Sequence, residues 1–367
     1  MEIVRPPSGS PVASRVLAEV AALAIVLLVA SISHATIIGC KKESDPRPAS
    51  DPVGAALRGR PRLSIAQDFA IQSGSASKGR PYMIVMSAAG SRLTSRLEQK
   101  ITDLIRESGA ETVAVAFHDL ETGAEMLINP DQTFHAASTM KVPVMMEIYR
   151  QAEAGRFSLE DQVPIKNDFT SIVDGTHYSL SPDDDSDLTL YKRVGQTAPV
   201  RELLHLMITV SSNLATNILI ERVGAANVGK LMHQYGANNI RVLRGVEDSK
   251  AFARGMNNTT TARDLMILLR RIAEGRAVSR KASDEMLKVL LDQKFSEGIP
   301  SGLPAEARVA HKTGSITKLY HDAAAVYLPK RKPYVLVVLT RGLEDEKRAH
   351  KLTADISREV YGSISAR

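Results

Sequence analysis

The chain of 367 residues carries strand-like segments at its two ends and helix-like segments between them, and this order leaves few folds open. Ser91 to Ser108 sets Leu93, Leu97, Ile101 and Leu104/Ile105 on one helical face. Two short apolar runs follow, Thr112–Asp119 and Glu125–Ile128, joined by Leu120-Glu121-Thr122-Gly123, a hairpin signal. A helical section then extends from about Ser138 to Leu291. Beyond it Arg308–Lys312, Ala323–Tyr327 and Tyr334–Thr340 read as strands, and Asp345–Tyr361 as a closing helix. Two strands, a helical block, then three strands and a helix suggest one sheet built from both ends of the chain. The expected fold is α/β (α+β): one antiparallel sheet built from both chain ends, flanked by helices. The helical block then forms a second lobe, with a cleft between the two.

Residues before this domain read as an export signal. From Val20 to Ile38 there is no Asp, Glu, Lys or Arg, and Arg5 and Arg15 lie before the run. That is the apolar middle and basic flank of a secretory leader. It ends at Ile37-Ile38-Gly39-Cys40, which resembles the bacterial lipobox, with Cys40 as the lipidated residue. Two acyl chains on one Cys suffice for stable anchoring. An uncleaved signal anchor and cleavage after Ala35 are the alternatives, and all three export the rest of the chain. The expected location is the periplasmic side of the envelope, as a membrane-anchored lipoprotein. Residues 41–88, rich in Pro, Ser, Gly and charge, read as a flexible tether. The divisions are thus 1–40 leader, 41–88 tether and 89–367 catalytic domain.

Composition narrows the chemistry. With 4% aromatic residues and no Trp, stacking platforms for single-stranded nucleic acid are not expected. The net charge of +6 is spread along the chain, which suits a basic surface near anionic envelope polymers, and no nucleic-acid partner is expected. One Cys excludes an internal disulfide framework and a thiolate metal cluster. The histidines form no metal-ligand spacing, so neither metal nor cofactor is expected. Asp183-Asp184-Asp185-Ser186-Asp187 reads as a solvated loop rather than a calcium site, since no Gly turn and distal Glu complete the ligand pattern.

Three short motifs carry the chemistry. Ser138-Thr139-Met140-Lys141 puts a hydroxyl and an ammonium three residues apart at a helix start, hence on one face. A Ser becomes a nucleophile when a neighbour takes its proton, and a desolvated Lys can do so. Taken alone, a Ser N-cap with a surface Lys explains this motif as well. Ser211-Ser212-Asn213 lies inside the apolar run Leu203 to Ile220, where polar residues are costly unless used. Lys312-Thr313-Gly314-Ser315 ends a strand, with Gly314 allowing close backbone approach.

In this order, 73 and 101 residues apart, the motifs resemble those of the penicillin-recognising serine hydrolases, and their spacing is similar to that of class A β-lactamases. The resemblance spans roughly residues 92 to 362. It implies Ser138 as acylated nucleophile, Lys141 as its proton partner and Ser211 as proton relay beside the cation Lys312. It further implies Asn213 on the substrate's side-chain amide, and Lys312, Thr313 and Ser315 on its carboxylate. Gly314 lies within that strand site, and the backbone N–H groups of Ser138 and Ser315 would form the oxyanion hole. The implied partner is a small β-lactam or a D-Ala-D-Ala-like peptide, bound by a monomer. A cell-wall D-Ala-D-Ala peptidase and a silent muropeptide-binding module are the alternative functions.

Departures from the family pattern bear on hydrolysis. Glu247, in Arg244-Gly245-Val246-Glu247-Asp248-Ser249-Lys250-Ala251, fits the deacylating base, but no Pro follows it. Lys250 or Ala251 stands where the pattern has Asn. A plain surface Glu–Lys pair is the other reading of Glu247. Ser212 replaces the Asp of the second motif. His321-Asp322 occupies the neighbourhood of a frequently found Arg, and His321 reads either as a polar substitute contact or as structural. Asn217 reads as a brace for the Glu247 loop or as a structural Asn.

Overall fold

The computed structural model describes residues 93–365; the leader with Cys40 and the tether lie outside the described residues. Five strands form the main sheet: β1 (Thr112–Asp119), β2 (Glu125–Ile128), β3 (Arg308–Ile316), β4 (Leu319–Tyr327) and β5 (Tyr334–Arg341). Their spatial order is β2-β1-β5-β4-β3, with every neighbouring pair antiparallel. The last strand in sequence therefore lies beside the first, and the two chain ends share one sheet as expected. Strand β3 takes an edge.

Nine α-helices are described: α1 (Leu93–Ser108), α2 (Lys141–Glu153), α3 (Val200–Thr209), α4 (Asn213–Val223), α5 (Ala225–Gln234), α6 (Ser249–Ala253), α7 (Ala262–Ala273), α8 (Arg280–Leu291) and α9 (Glu346–Ser365). Strand alternation sends the two faces of the sheet into two cores. Val113, Val115 and Phe117, with Tyr334, Leu336 and Val338, pack against α1 and α9. Ala114, Ala116, Ala323 and Ala325 face the helical lobe, and these small side chains let α7 sit close to the sheet. Leu265, Leu268, Leu269 and Ile272 of α7 are buried there. Burying each such side chain contributes about 1.5–3 kcal/mol.

The helical section departs from its expected continuity. Between α2 and α3, residues 154–199 hold no α-helix. They carry short ribbon strands, at Gln162–Pro164 with Thr197–Pro199 and at Phe169–Thr170 with His177–Tyr178, and 3-10 turns at Pro182–Asp184 and Leu190–Arg193. Pro164, Pro182 and Pro199 each lack a backbone donor, which a helix through this stretch would need. The expected β3 segment ended at Lys312, but pairing with β4 continues to Ile316↔Leu319. The whole Lys312–Ser315 motif is therefore strand.

Candidate active site

Each of the three motifs sits at a break in regular structure. Ser138 lies in a 3-10 turn, Ala137–Met140, that runs directly into α2, whose first residue is Lys141. The N-cap reading of Ser138 is not realised, because no side-chain cap bond is made. Ala137 has φ 44, and its N–H donates to His135 Nδ1 at 3.0 Å. Ser211 was expected inside a helix and is not. Helix α3 ends at Thr209, Ser211 takes φ 60, and Ser212 caps α4 by accepting from Ala215 N. Two Ser and an Asn in a row are helix-start residues, and that signal outranks the apolar run around them.

This break turns Ser211 towards the lysines. Lys141 Nζ donates to the Ser211 carbonyl at 2.6 Å, to Ser211 Oγ at 3.1 Å and to Asn213 Oδ1 at 2.9 Å. Lys312 Nζ, arriving from β3, donates to the same Ser211 Oγ at 3.1 Å and to the Thr313 carbonyl at 2.8 Å. Both lysines are fully buried. Burial pulls Lys141 down to about 7, against the nearby negative charges of Asp185 and Glu247. Lys312 is held well below the usual lysine range by burial and by the charge of Lys141. One hydroxyl between two such amines is suited to passing a proton. No hydrogen bond links Lys141 to Ser138 Oγ in this state, since the three donors of the ammonium are spent on Ser211 and Asn213.

Ser138, Ser211, Asn213, Glu247, Thr313, Gly314 and Ser315 all line one cleft of about 840 Å³. Gly314 brings β3 against the nucleophile turn: a Cβ there would stand 3.0 Å from Ser138 N and 3.1 Å from Thr139 N. Glu247 also lines this cleft and takes φ 62. Asn217 braces its loop, accepting from Val246 N at 2.6 Å and donating to Val246 O at 3.0 Å. Gly245 is required for that contact, because a Cβ would lie 2.3 Å from Asn217 Oδ1. Desolvation and the Asp184 carboxylate push the Glu247 carboxyl above its usual range, with Lys141 and Arg244 opposing. Glu247 Oε1 accepts from Asn213 Nδ2 at 3.3 Å. The surface-pair reading fails, because Lys250 turns away to Asp174 at 2.8 Å. Of seven non-glycine residues in left-handed backbone among the described residues, Ala137, Ser211 and Glu247 are at this site, where such strain commonly collects.

Residues 96–364 match the β-lactamase enzyme family. The chain belongs to this family. A β-lactamase of Bacteroides uniformis is 28% identical over 286 residues, covering 74% of this chain and 92% of the relative. The solved penicillin-binding protein PBP-A is 28% identical with TM-score 0.65, covering 74% of this chain and 97% of that one. A mutant of PBP-A has been solved as an acyl-enzyme complex with penicillin G. A mutant of the class A β-lactamase of the last common ancestor of Gram-negative bacteria is 25% identical with TM-score 0.62, covering 73% and 98%. The family inferred from the three motifs is thus the one found.

The structure brings Ser138, Lys141, Ser211, Asn213, Glu247, Lys312, Thr313, Gly314 and Ser315 to one cleft. His321 makes structural bonds and also lines the cleft. It is buried on β4, its Nε2 bonds the His135 carbonyl at 3.0 Å, and Thr340 N donates to its Nδ1. Burial lowers it to about 4, so it stays neutral and ties the sheet to the turn before Ser138. The sequence missed Asp185. Asp183, Asp184 and Ser186 are exposed as a solvated loop should be, but Asp185 and Asp187 turn inward. Asp185 reaches the start of α4, and Asp184 lines the cleft.

Proposed function

We propose that the protein is a class A-type serine β-lactamase, which opens the β-lactam amide through an acyl-enzyme on Ser138 and clears it with a water activated by Glu247. The observation that carries the reading is the buried Lys141–Ser211–Lys312 array, flanked in one cleft by Ser138 and Glu247. Ser138 Oγ attacks the ring carbonyl and gives its proton to neutral Lys141 or, through water, to Glu247. The N–H groups of Ser138 and Ser315 hold the developing oxyanion. The proton reaches the departing ring nitrogen through Ser211, whose hydroxyl both lysines already touch. Thr313, Ser315 and Lys312 hold the substrate carboxylate, and Asn213 its side-chain amide.

A D-Ala-D-Ala peptidase or penicillin-binding acyl-transferase is the second reading. Its support is the likeness to PBP-A and the lack of an Asn beside Glu247, where Lys250 points away and Ala251 is buried in α6. A silent binding module has no use for two buried lysines on one serine hydroxyl. Nitrocefin turnover and intact-protein mass after mixing with benzylpenicillin decide the matter. Steady turnover with an adduct that rises and clears supports the lactamase. A long-lived adduct without turnover selects the second reading, and no adduct refutes both.

Export and lipidation at Cys40 belong to the same proposal, because β-lactams and cell-wall peptides lie outside the cytoplasm. Cys40→Ser should stop lipid attachment, leaving precursor or releasing the protein from membranes. Fractionation and gel migration identical to wild type would remove Cys40 as the anchor.

A further inference from the structure

The first turn of α4 needs acceptors for its N–H groups, because a helix start leaves them without intrahelical partners. The Ser212 side chain accepts only from Ala215 N. The two before it are taken by a residue 28 positions upstream. Asp185 Oδ1 and Oδ2 accept from Asn213 N at 3.0 and 2.9 Å, and Oδ2 accepts from Leu214 N at 2.9 Å. Tyr191 OH donates to Oδ2 at 3.0 Å and Asp187 N to Oδ1 at 3.1 Å, which fixes the carboxylate from its own segment. A negative charge at this helix end is favourable in its own right. Ser212 stands where the family resemblance has an Asp, and the carboxylate at this helix start comes from the 154–199 segment.

Asn213, the residue so held, is also the one whose side chain faces the chemistry. Its Oδ1 receives Lys141 at 2.9 Å and its Nδ2 approaches Glu247 at 3.3 Å. We propose that Asp185 is a positioning residue for acylation, which closes the start of α4 from outside the three motifs and so holds Asn213 against Lys141. The inference rests on the serine-hydrolase reading above. Asp185 makes no contact with the nucleophile and does not itself line the cleft; it acts through the lining residue Asn213 and through its charge. The charged groups that act on Lys141 are Asp185 from the segment, Glu247 from its loop and Lys312 from β3, while Asp184 acts on Glu247 and Tyr191 bonds Asp185. Of the anionic groups, Asp185 is the strongest in holding the Lys141 proton.

The test follows acylation by benzylpenicillin, read by intact mass after rapid quenching, as a function of pH. Asp185→Ala should slow acylation by roughly 10²-fold, the cost of a reacting group displaced by about 1 Å. Asp185→Asn keeps an acceptor for α4 but removes the charge. It should retain most of the rate, and the acid limb of the profile should move to lower pH, because Lys141 then loses its proton more readily. A purely structural role would lower thermal stability and leave that limb in place. An Asp185→Asn limb unchanged or moved upward overturns the inference, as does a folded Asp185→Ala protein that acylates at the wild-type rate. If Asp185→Ala does not fold, Asp185→Asn decides. NMR titration of Lys141 in lysine-labelled protein, assigned through Lys312→Arg, asks the same question without chemistry. Its midpoint, about 7 in wild type, should fall in Asp185→Asn. A wild type that forms no adduct would refute the serine-hydrolase reading, whereas an unmoved Lys141 midpoint would refute the role of Asp185.

Discussion

Ser138→Ala should abolish covalent labelling by penicillin and lower turnover by roughly 10⁴-fold or more, the scale of deleting a covalent nucleophile. The cleft holds other hydroxyls, on Thr313, Ser315, Ser186 and Ser211, so the prediction discriminates among them. Ser211 Oγ already accepts from two buried amines, which makes it a relay rather than an attacker. Thr313 and Ser315 lie on β3 beside Lys312, in the place for the substrate carboxylate. Only Ser138 combines a free hydroxyl with a base three residues away. The substitution should not disturb the fold, because Ser138 is half-buried and no cap bond depends on it. Fluorescent penicillin followed by gel or mass analysis checks the outcome. Adduct surviving in Ser138→Ala would move the nucleophile elsewhere in the cleft.

The three motifs were legible in the sequence, since they are residue types at fixed local spacings, and folding brings them to one cleft. The sheet was legible too, because Ala114, Val115 and Ala116 with Val335 to Leu339 alternate into cores on both sides. The non-local parts were not. Ser211 takes left-handed backbone, and its carbonyl is bound by Lys141, 70 residues away. His321 takes its structural role from the His135 carbonyl, 186 residues away. An Asp-rich loop looks solvated until the helix start it caps is known, which is why Asp185 escaped notice. Propensity describes a residue's neighbours along the chain, whereas these residues are defined by partners brought up by folding.

Glu247→Gln should leave acylation largely intact and slow deacylation, so that acyl-enzyme accumulates and penicillin turnover falls by about 10²–10⁴-fold. Attack by Ser138 has Lys141 within one turn, but hydrolysis of the ester needs a water deprotonated from the opposite side. Glu247 is a carboxylate of this cleft, with the Asn217–Val246 bonds fixing its loop and Asp248 capping α6. Desolvation and Asp184 raise its pKa, which strengthens it as a base while leaving it ionised once the pH exceeds the raised value. Turnover should therefore fall on the acid side at a higher pH than an ordinary Glu would give, and Asp184→Asn should move that fall to lower pH. Gln preserves the shape and the contact to Asn213 but cannot take a proton. In wild type the only side chain seen bonding Glu247 among the described residues is Asn213, so the water has fewer holders than the family pattern supplies. A slow wild-type deacylation follows, with a transient adduct detectable by intact mass. If wild type and Glu247→Gln keep the adduct for equal times, Glu247 is not the base and the penicillin-binding peptidase reading stands in its place.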